Sequence, residues 1–203
     1  MFDAPQVEKS ERRLKGNDRV NDTSSQLRLQ NPFEQGLQPC AANYVPLSPL
    51  SFLVKAAAIY ADRPAVIHGD VRRSWQQTHE RCVRLASALH RRGIGKGDTV
   101  AIMAPNIPAM YEAHFGVPMS GAVLNTLNTR LDADAIAFQL EHGQARVMMV
   151  DREFSDTVSK ALSQLRDPPL IIDIDDPLYD GAGQAVGALN YEDFLLEGSP
   201  DFK

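Results

Sequence analysis

Helix-like and strand-like apolar patterns alternate strictly from Trp75 to Ile174, and this alternation constrains the fold more than any other feature of the chain. Thr99–Met103 is predicted as a strand, and Ala145–Val150 as a strand of the mostly apolar kind expected in a buried parallel sheet. Alternating helices and strands form crossover units whose helices cover the sheet. The sequence therefore predicts an α/β fold with alternating helix/strand units around a largely parallel sheet.

Capping residues and glycines define the predicted helices. Pro49 suits a first helical turn, where no amide hydrogen is needed, and Gln77 completes a capping-box pattern. Gly93 and Gly143 are expected to end two of the helices. The predicted N-cap residues are Ser48, Ser74, Asn106 and Asp132.

Shorter segments lie on either side of the alternating region. The segment 64–67 is predicted as a strand and 68–70 as the turn after it, so His68 is interpreted as a turn residue and not as a ligand. His142 falls in the last turn of a helix, where a positive charge would interact favourably with the helix dipole. Beyond Asp175 a loop containing proline and glycine leads to a short helix at 191–196.

Charge and hydropathy exclude several classes of protein. The net charge of -5 argues against a nucleic-acid partner, which requires a basic surface. No apolar run approaches the roughly 18 residues of a transmembrane segment, and the first residues lack the apolar stretch expected of a secretory signal. Two widely spaced cysteines, Cys40 and Cys82, form neither a disulfide framework nor a zinc site. We therefore predict a cytoplasmic protein, with residues 1–42 as a polar, disordered extension.

Three glycine clusters are candidates for phosphate-binding loops. Those at 93–98 and 116–121 join a helix to the strand after it, whereas phosphate-binding loops join a strand to the helix after it, so both are predicted to be turns. The third, Gly181–Gly187, resembles a loosened dinucleotide fingerprint, although Pro177 and its neighbours separate it from the preceding strand. A small nucleotide-binding protein that uses this loop is one alternative.

Acidic and histidine residues do not form a recognisable catalytic or metal motif. Asp173, Asp175 and Asp176 follow a strand, and a solvated loop is favoured there because a hard cation needs six or more converging oxygens. The five histidines are isolated, and the chain contains no Walker loop or nucleophile elbow. The sequence therefore predicts no catalytic, cofactor-binding or metal-binding residue.

Several phrases of the chain nevertheless resemble the N-terminal part of AMP-forming acyl-CoA synthetases, in the branch that handles short- and medium-chain fatty acids. The resemblance covers about residues 43–200. The segments that carry it are Pro49–Leu53, Arg63–Gly69, Thr99–Asn106, Pro108–Asn125, Leu127–Leu131 and Ala145–Asp151. It implies that 43–203 is a truncated part of an AMP-binding domain, an incomplete N-terminal subdomain of the acyl-adenylate-forming fold.

The resemblance also implies a ligase of fatty-acid and lipid metabolism. Such an enzyme joins ATP and a small carboxylic acid into an acyl-adenylate, with magnesium, and coenzyme A then displaces AMP to give a thioester. The family's phosphate loop would follow a segment like Tyr191–Phe194, and its catalytic lysine lies in a later domain. We therefore expect this chain to be inactive alone and to bind ATP, CoA and magnesium only poorly.

A stand-alone α/β binding or interaction module, derived from the N-terminal half of a synthetase, is the second alternative. The two hypotheses differ in what they predict for the surface of the chain. If the family's fold is interrupted, an apolar face and an unpaired strand edge are expected to be exposed.

Overall fold

Seven strands form two sheets in the computed structural model, which describes Cys40, Tyr44, Val45 and residues 47–203. An antiparallel hairpin contains β1 (Pro64–His68) and β2 (Val71–Ser74). The main sheet contains β3 (Thr99–Met103), β4 (Val123–Thr126), β5 (Ala145–Asp151), β6 (Leu170–Ile174) and β7 (Leu189–Asn190). Its strand order is β4-β3-β5-β6-β7, and every neighbouring pair is parallel. The predicted parallel α/β sheet is confirmed.

Within the described residues, six α-helices accompany these strands. They are α1 (Pro49–Ile59), α2 (Trp75–Arg91), α3 (Pro108–Met119), α4 (Ala133–His142), α5 (Ser155–Leu162) and α6 (Tyr191–Glu197). Helices α2, α3 and α6 share one buried cluster with the sheet, and α4 and α5 share another. The sheet is therefore the middle of three layers.

The two clusters use alternate residues of the same strands. In β3, Val100 and Ile102 face α2, α3 and α6, whereas Ala101 and Met103 face α4 and α5. Burial on both faces explains why consecutive residues in the middle of these strands are apolar. Each fully buried side chain of this size stabilises the fold by about 1.5–3 kcal/mol, so both helical layers are needed to stabilise the sheet.

Three of the four predicted N-caps are confirmed. The Ser48 and Asp132 side chains accept hydrogen bonds from Leu50 N and Ala135 N at 3.3 and 2.9 Å, and Ser74 forms a complete capping box with its helix. The cap predicted at Asn106 is wrong. Helix α3 begins one residue later, because Pro108 occupies its first turn and an extended Ile107 precedes it without a side-chain cap.

Two short strands and two backbone details differ from the sequence prediction. Neither β2 nor β7 was predicted, because β2 has two arginines and β7 only two residues. His68 ends β1, and the turn after it begins at Gly69, whose φ is 52°. Gly93 has the expected left-handed φ of 72°, but at the end of α4 the left-handed residue is Gln144 and not Gly143.

The glycine cluster at 93–98 is a turn, as predicted. Gly95 N donates to Asp98 Oδ2 at 2.9 Å, and Arg146 donates to Gly93 O and Asp98 Oδ1 at 3.0 and 2.9 Å. The hydrogen bond from Arg146, followed by that from Gly95, lowers the pKa of the Asp98 carboxyl. The turn amides are thus occupied by the protein itself.

Other predictions about the chain have mixed outcomes. Cys82 is buried in α2 as expected, and burial raises the pKa of its thiol. Within the residues that the structure describes, no helix has the length and apolarity needed to cross a membrane. The predicted extension at residues 1–42 lies outside the described residues, apart from Cys40.

Replacing Gly116 by alanine tests how closely α2 and α3 pack. A Cβ at this position would lie 2.9 Å from Leu85 Cβ and 2.7 Å from Leu85 Cδ2. We expect Gly116→Ala to destabilise the chain by about 1 kcal/mol or more, since overpacking outweighs the gain of about 1 kcal/mol in helix propensity. Urea unfolding measures the difference, and a net gain in stability would contradict the close contact.

Candidate functional site

Polar side chains collect at the carboxyl edge of the parallel sheet, where ligands of open α/β sheets bind. Asp151 ends β5, Asp176 follows β6, and Asn190 ends β7. A cleft of about 270 Å³ opens beside β6 and β7. The hairpin supplies His68 and Arg73 to its wall, so the cleft lies between the two sheets.

A histidine–aspartate pair closes one side of this cleft. His68 Nε2 lies 2.7 Å from Asp176 Oδ1, which also accepts a hydrogen bond from Leu178 N at 3.2 Å. A Cβ on Gly69 would lie 2.6 Å from Leu178 Cδ2, so the hairpin turn packs directly on the loop after β6. The pair therefore holds the hairpin against the edge of the main sheet.

The acidic cluster is not the solvated loop that the sequence predicted. Asp173 and Asp176 are buried, and Asp173 accepts hydrogen bonds from Val186 N and Gly187 N, both at 2.8 Å. Of these three aspartates only Asp175 is exposed. Its Oδ1 forms an ion pair with Arg152 Nε at 2.8 Å, but the angle between the groups does not allow a hydrogen bond. Among residues 47–203, no three acidic, histidine or cysteine side chains are placed to hold a metal ion.

The Gly181–Gly187 loop uses its amides internally. Val186 N and Gly187 N donate to Asp173, and Gln184 N donates to Ser155 Oγ at 3.2 Å. A phosphate would need such amides free and converging on a helix N-terminus. The loop contains no helix and does not fit a dinucleotide or the phosphates of ATP. This loop therefore does not provide a phosphate-binding site.

Among the described residues, Asp151 has the only buried carboxyl oxygen without a hydrogen-bond partner. Its Oδ1 accepts a hydrogen bond from Glu153 N at 2.9 Å, whereas its buried Oδ2 has no partner among the described residues. Burial is the main reason that the pKa of this carboxyl is raised, and the nearby Asp176 charge adds to it. This could not be predicted from the sequence, where Asp151 simply follows a mostly apolar strand segment.

A second polar cluster lies beneath the cleft and is centred on buried Glu112 in α3. Glu112 Oε1 accepts hydrogen bonds from Arg73 Nη1 and Arg81 Nε at 2.6 and 2.7 Å, and Oε2 accepts one from Tyr191 Oη at 2.9 Å. Arg81 also binds Glu192 through two hydrogen bonds of 2.7 and 2.6 Å. Four elements, β2, α2, α3 and α6, are thus joined through one carboxylate.

The charges in this Glu112 cluster balance. Two arginines face two glutamates, which is the arrangement that makes buried charge tolerable. Burial opposes the charge of Arg81, yet its hydrogen bonds to Glu192 and Glu112 leave its pKa raised overall. Burial, together with the charge of Glu112, raises the pKa of Tyr191 well above its ordinary value, so its hydroxyl remains a donor. The sequence signal for this cluster is Glu112 itself, a charged residue within the mainly apolar helix α3. The sequence analysis did not identify it as a buried residue.

Comparison with known proteins defines the class. Residues 53–193 match the family described as AMP-binding enzyme, so this chain belongs to that family. The predicted resemblance to AMP-forming acyl-CoA synthetases is confirmed.

Individual relatives are plant CoA ligases. The chain is 50% identical over 172 residues to the peroxisomal acetate/butyrate–CoA ligase AAE7 of Arabidopsis thaliana. This match covers 79% of the chain and 30% of AAE7. It is 47% identical over 173 residues to the acetate–CoA ligase CCL3 of Humulus lupulus. That match covers 80% of the chain and 30% of CCL3. The chain thus spans about 30% of the length of these relatives.

Solved structures support the same fold. The anthranilate CoA ligase AuaEII, determined in complex with anthranoyl-AMP, superposes with a TM-score of 0.69 at 20% identity. The match covers 78% of this chain and 30% of the ligase. At this identity the likeness establishes the acyl-adenylate-forming fold alone.

Replacing Asp151 by asparagine tests the unpaired carboxyl oxygen. The raised pKa means that the folded state binds the proton more tightly than the unfolded state, whose ordinary value is 3.8. This carboxyl therefore lowers stability increasingly as the pH rises above 3.8, until the pH passes its folded pKa. We expect Asp151→Asn to be more stable than the parent by about 1 kcal/mol at neutral pH, with a smaller gain in acid.

Urea unfolding at several pH values from about 3.5 to 7.5, a range that begins below the unfolded-state value of 3.8, measures this effect. Asp175→Asn is the control, because that carboxylate is exposed and should change stability by less than about 1 kcal/mol. A pH-independent difference between Asp151→Asn and the parent would contradict the assignment.

Replacing Glu112 by glutamine tests the buried cluster. The substitution keeps the shape but leaves two arginines facing a neutral amide, so we expect a loss of about 3 kcal/mol in the free energy of unfolding. Glu192→Gln is the matched control, since Glu192 is exposed and its pairing is worth about 1 kcal/mol or less. Equal losses for the two variants would show that Glu112 has no central role.

Proposed function

We propose that this chain forms part of a ligase that joins a small carboxylic acid to coenzyme A through an acyl-adenylate, with ATP as the energy source. The observation that carries the proposal is the 50% identity to an acetate/butyrate–CoA ligase over most of the chain. Relatives from hop and petunia are named as ligases of acetate and trans-cinnamate, which supports a carboxylate substrate.

The proposed role of residues 47–203 is structural, and no residue in this range is assigned a catalytic function. The acidic residues at the sheet edge engage the Gly181–Gly187 loop, the hairpin and Arg152. ATP, coenzyme A and magnesium are therefore proposed for the intact ligase, at groups beyond this range. The chain alone is proposed to be inactive.

The substrate proposed for the intact ligase is a short- or medium-chain fatty acid. Acetate and butyrate are the acids named for the relatives AAE7 and CCL3, which fits a role in fatty-acid and lipid metabolism. The cytoplasmic location stays a prediction, because AAE7 and the petunia relative are both named as peroxisomal.

The alternative, a stand-alone binding module, differs in its expected ligand behaviour. A module would bind an acyl chain or a partner through residues 47–203 without adenylation. Calorimetric titration of the full chain with butyrate and with ATP distinguishes the two, since tight binding of either is expected only for a self-contained site.

A chimeric enzyme tests the ligase proposal. The 172 aligned residues of AAE7 are exchanged for those of this chain, and butyryl-CoA formation is measured against the parent AAE7. We expect the chimera to retain activity within about tenfold, a barrier change of about 1.4 kcal/mol, because this segment supplies scaffold and not reacting groups. The 203-residue chain alone is the control and is expected to give no butyrate-dependent pyrophosphate exchange.

A folded chimera without activity would contradict the ligase proposal. Butyrate-dependent exchange by the 203-residue chain alone would contradict the proposed division between scaffold and chemistry.

A further inference from the structure

A groove of about 590 Å³ lies between strand β2 and helices α2 and α6. Two arginines from β2 and two from α2 line it, namely Arg72, Arg73, Arg81 and Arg84. Among the described residues, only two acidic side chains, Glu80 and Glu192, share this lining. We call it the arginine groove, and its lining is positively charged although the net charge of the chain is -5.

Buried Glu112 fixes two of these arginines from the protein interior. Its Oε1 accepts hydrogen bonds from Arg73 Nη1 at 2.6 Å and from Arg81 Nε at 2.7 Å. Only 18% and 19% of these two arginine side chains are exposed, so neither moves freely. A ligand that binds to guanidinium groups held in this way causes little further loss of side-chain entropy. The arginine groove is therefore preorganised for an anion.

One carboxylate already lies in the arginine groove. Arg81 Nη1 and Nη2 donate to Glu192 Oε2 and Oε1 at 2.7 and 2.6 Å, which is the bidentate geometry in which arginine recognises a carboxylate. Arg73 Nη2 lies 3.7 Å from the same Oε1. The Glu192 side chain is 58% exposed, and an ion pair with an exposed partner contributes little to stability. The carboxylate of a ligand can therefore replace Glu192 at this position.

A second position in the arginine groove has unused hydrogen-bond donors. Arg72 Nη1 donates to two backbone oxygens of the hairpin, and Arg72 forms no ion pair with the described residues. Arg84 uses Nε for Glu80 Oε1 at 2.9 Å and Nη1 for a backbone oxygen after α6 at 3.0 Å. The Nη2 groups of Arg72 and Arg84 make no hydrogen bond within the part of the chain that the structure describes. A single carboxylate at the Glu192 position would leave these donors unused.

We propose that the arginine groove binds a small aliphatic dicarboxylate. One carboxylate replaces Glu192 on Arg81. The other binds the free donors of Arg72 and Arg84. The carbon chain between them lies against the apolar part of the lining, which consists of Val71, Leu195 and Leu196. This inference does not rest on the proposed function, because the ligase chemistry is assigned to groups beyond residues 47–203, whereas the whole arginine groove lies within them.

The balance of charge favours two carboxylates over one. Once Glu192 has left the arginine groove, Glu80 and Glu112 balance two of the four arginines. Two positive charges remain, and a dicarboxylate neutralises both of them. A monocarboxylate neutralises only one and leaves a partly buried guanidinium without a counter-charge, which is unfavourable.

Calorimetric titration of the 203-residue chain with succinate and with butyrate tests the proposal. The two acids have the same number of carbon atoms, and only succinate carries a second carboxylate. At neutral pH and constant ionic strength, we expect succinate to bind about tenfold more tightly or better, because hydrogen bonds between charged groups are the strong ones. Inorganic phosphate is the third titrant and controls for attraction to charge alone.

Replacing Arg72 by glutamine removes donors of the second position. We expect Arg72→Gln to weaken succinate binding about tenfold and to leave butyrate binding unchanged. Arg166→Gln is the matched control, since Arg166 is also exposed and lies outside the arginine groove. Urea unfolding verifies that each variant is folded.

Replacing Glu192 by glutamine changes the affinity in the opposite direction. The substitution removes the competing carboxylate, so we expect succinate to bind about threefold more tightly. Asp193→Asn is the matched control, because it changes the net charge equally at an exposed neighbour that does not line the arginine groove.

Several results would overturn the proposal. Equal affinity for succinate, butyrate and inorganic phosphate would show that only charge is recognised. Equal weakening by Arg72→Gln and Arg166→Gln would place the ligand elsewhere. Weaker succinate binding by Glu192→Gln would show that Glu192 does not occupy the position of a ligand carboxylate.

Discussion

Burial of a parallel sheet on both faces is the constraint on which the rest of this structure depends. Residues of β3 and β5 alternate between two apolar clusters, so neither helical layer can be removed without exposing the other side of the same strands. The crossovers that provide these layers also bring the carboxyl ends of the strands to one edge. Packing thus determines where the polar groups of the molecule collect.

The polar groups at that edge are used mainly to join elements that the apolar clusters do not hold. Glu112 links the hairpin, through Arg73, to α2, α3 and α6, and Asp176 links the other end of the hairpin through His68. Asp173 fixes the long loop before β7. These charged side chains therefore act as internal connections between elements that are separated in the sequence.

The layered fold could be predicted from the sequence because its signals are local. Apolar periodicity and capping residues such as Ser74 and Asp132 depend on neighbours a few positions away. The misplaced features depend on distant contacts. Asp173 looks like a loop residue until residues 186–187 return to it, and β2 is a strand only because it pairs with β1. Asn106 failed as a cap because Pro108 alone sets the start of α3.

The same contrast between local and distant signals explains the open apolar surface that α1, β1 and α3 form around Tyr111 and Phe115. Tyr111 and Phe115 have the spacing of a core stripe, and α1 has the composition of a buried helix. Neither the two aromatic side chains nor α1 packs on the main sheet, however. Both faces of the sheet are already occupied by five other helices. An apolar pattern in sequence specifies that a surface is to be covered but not which segment covers it. For the sheet the cover lies within residues 47–203, whereas for α1 and β1 the described residues leave that surface open.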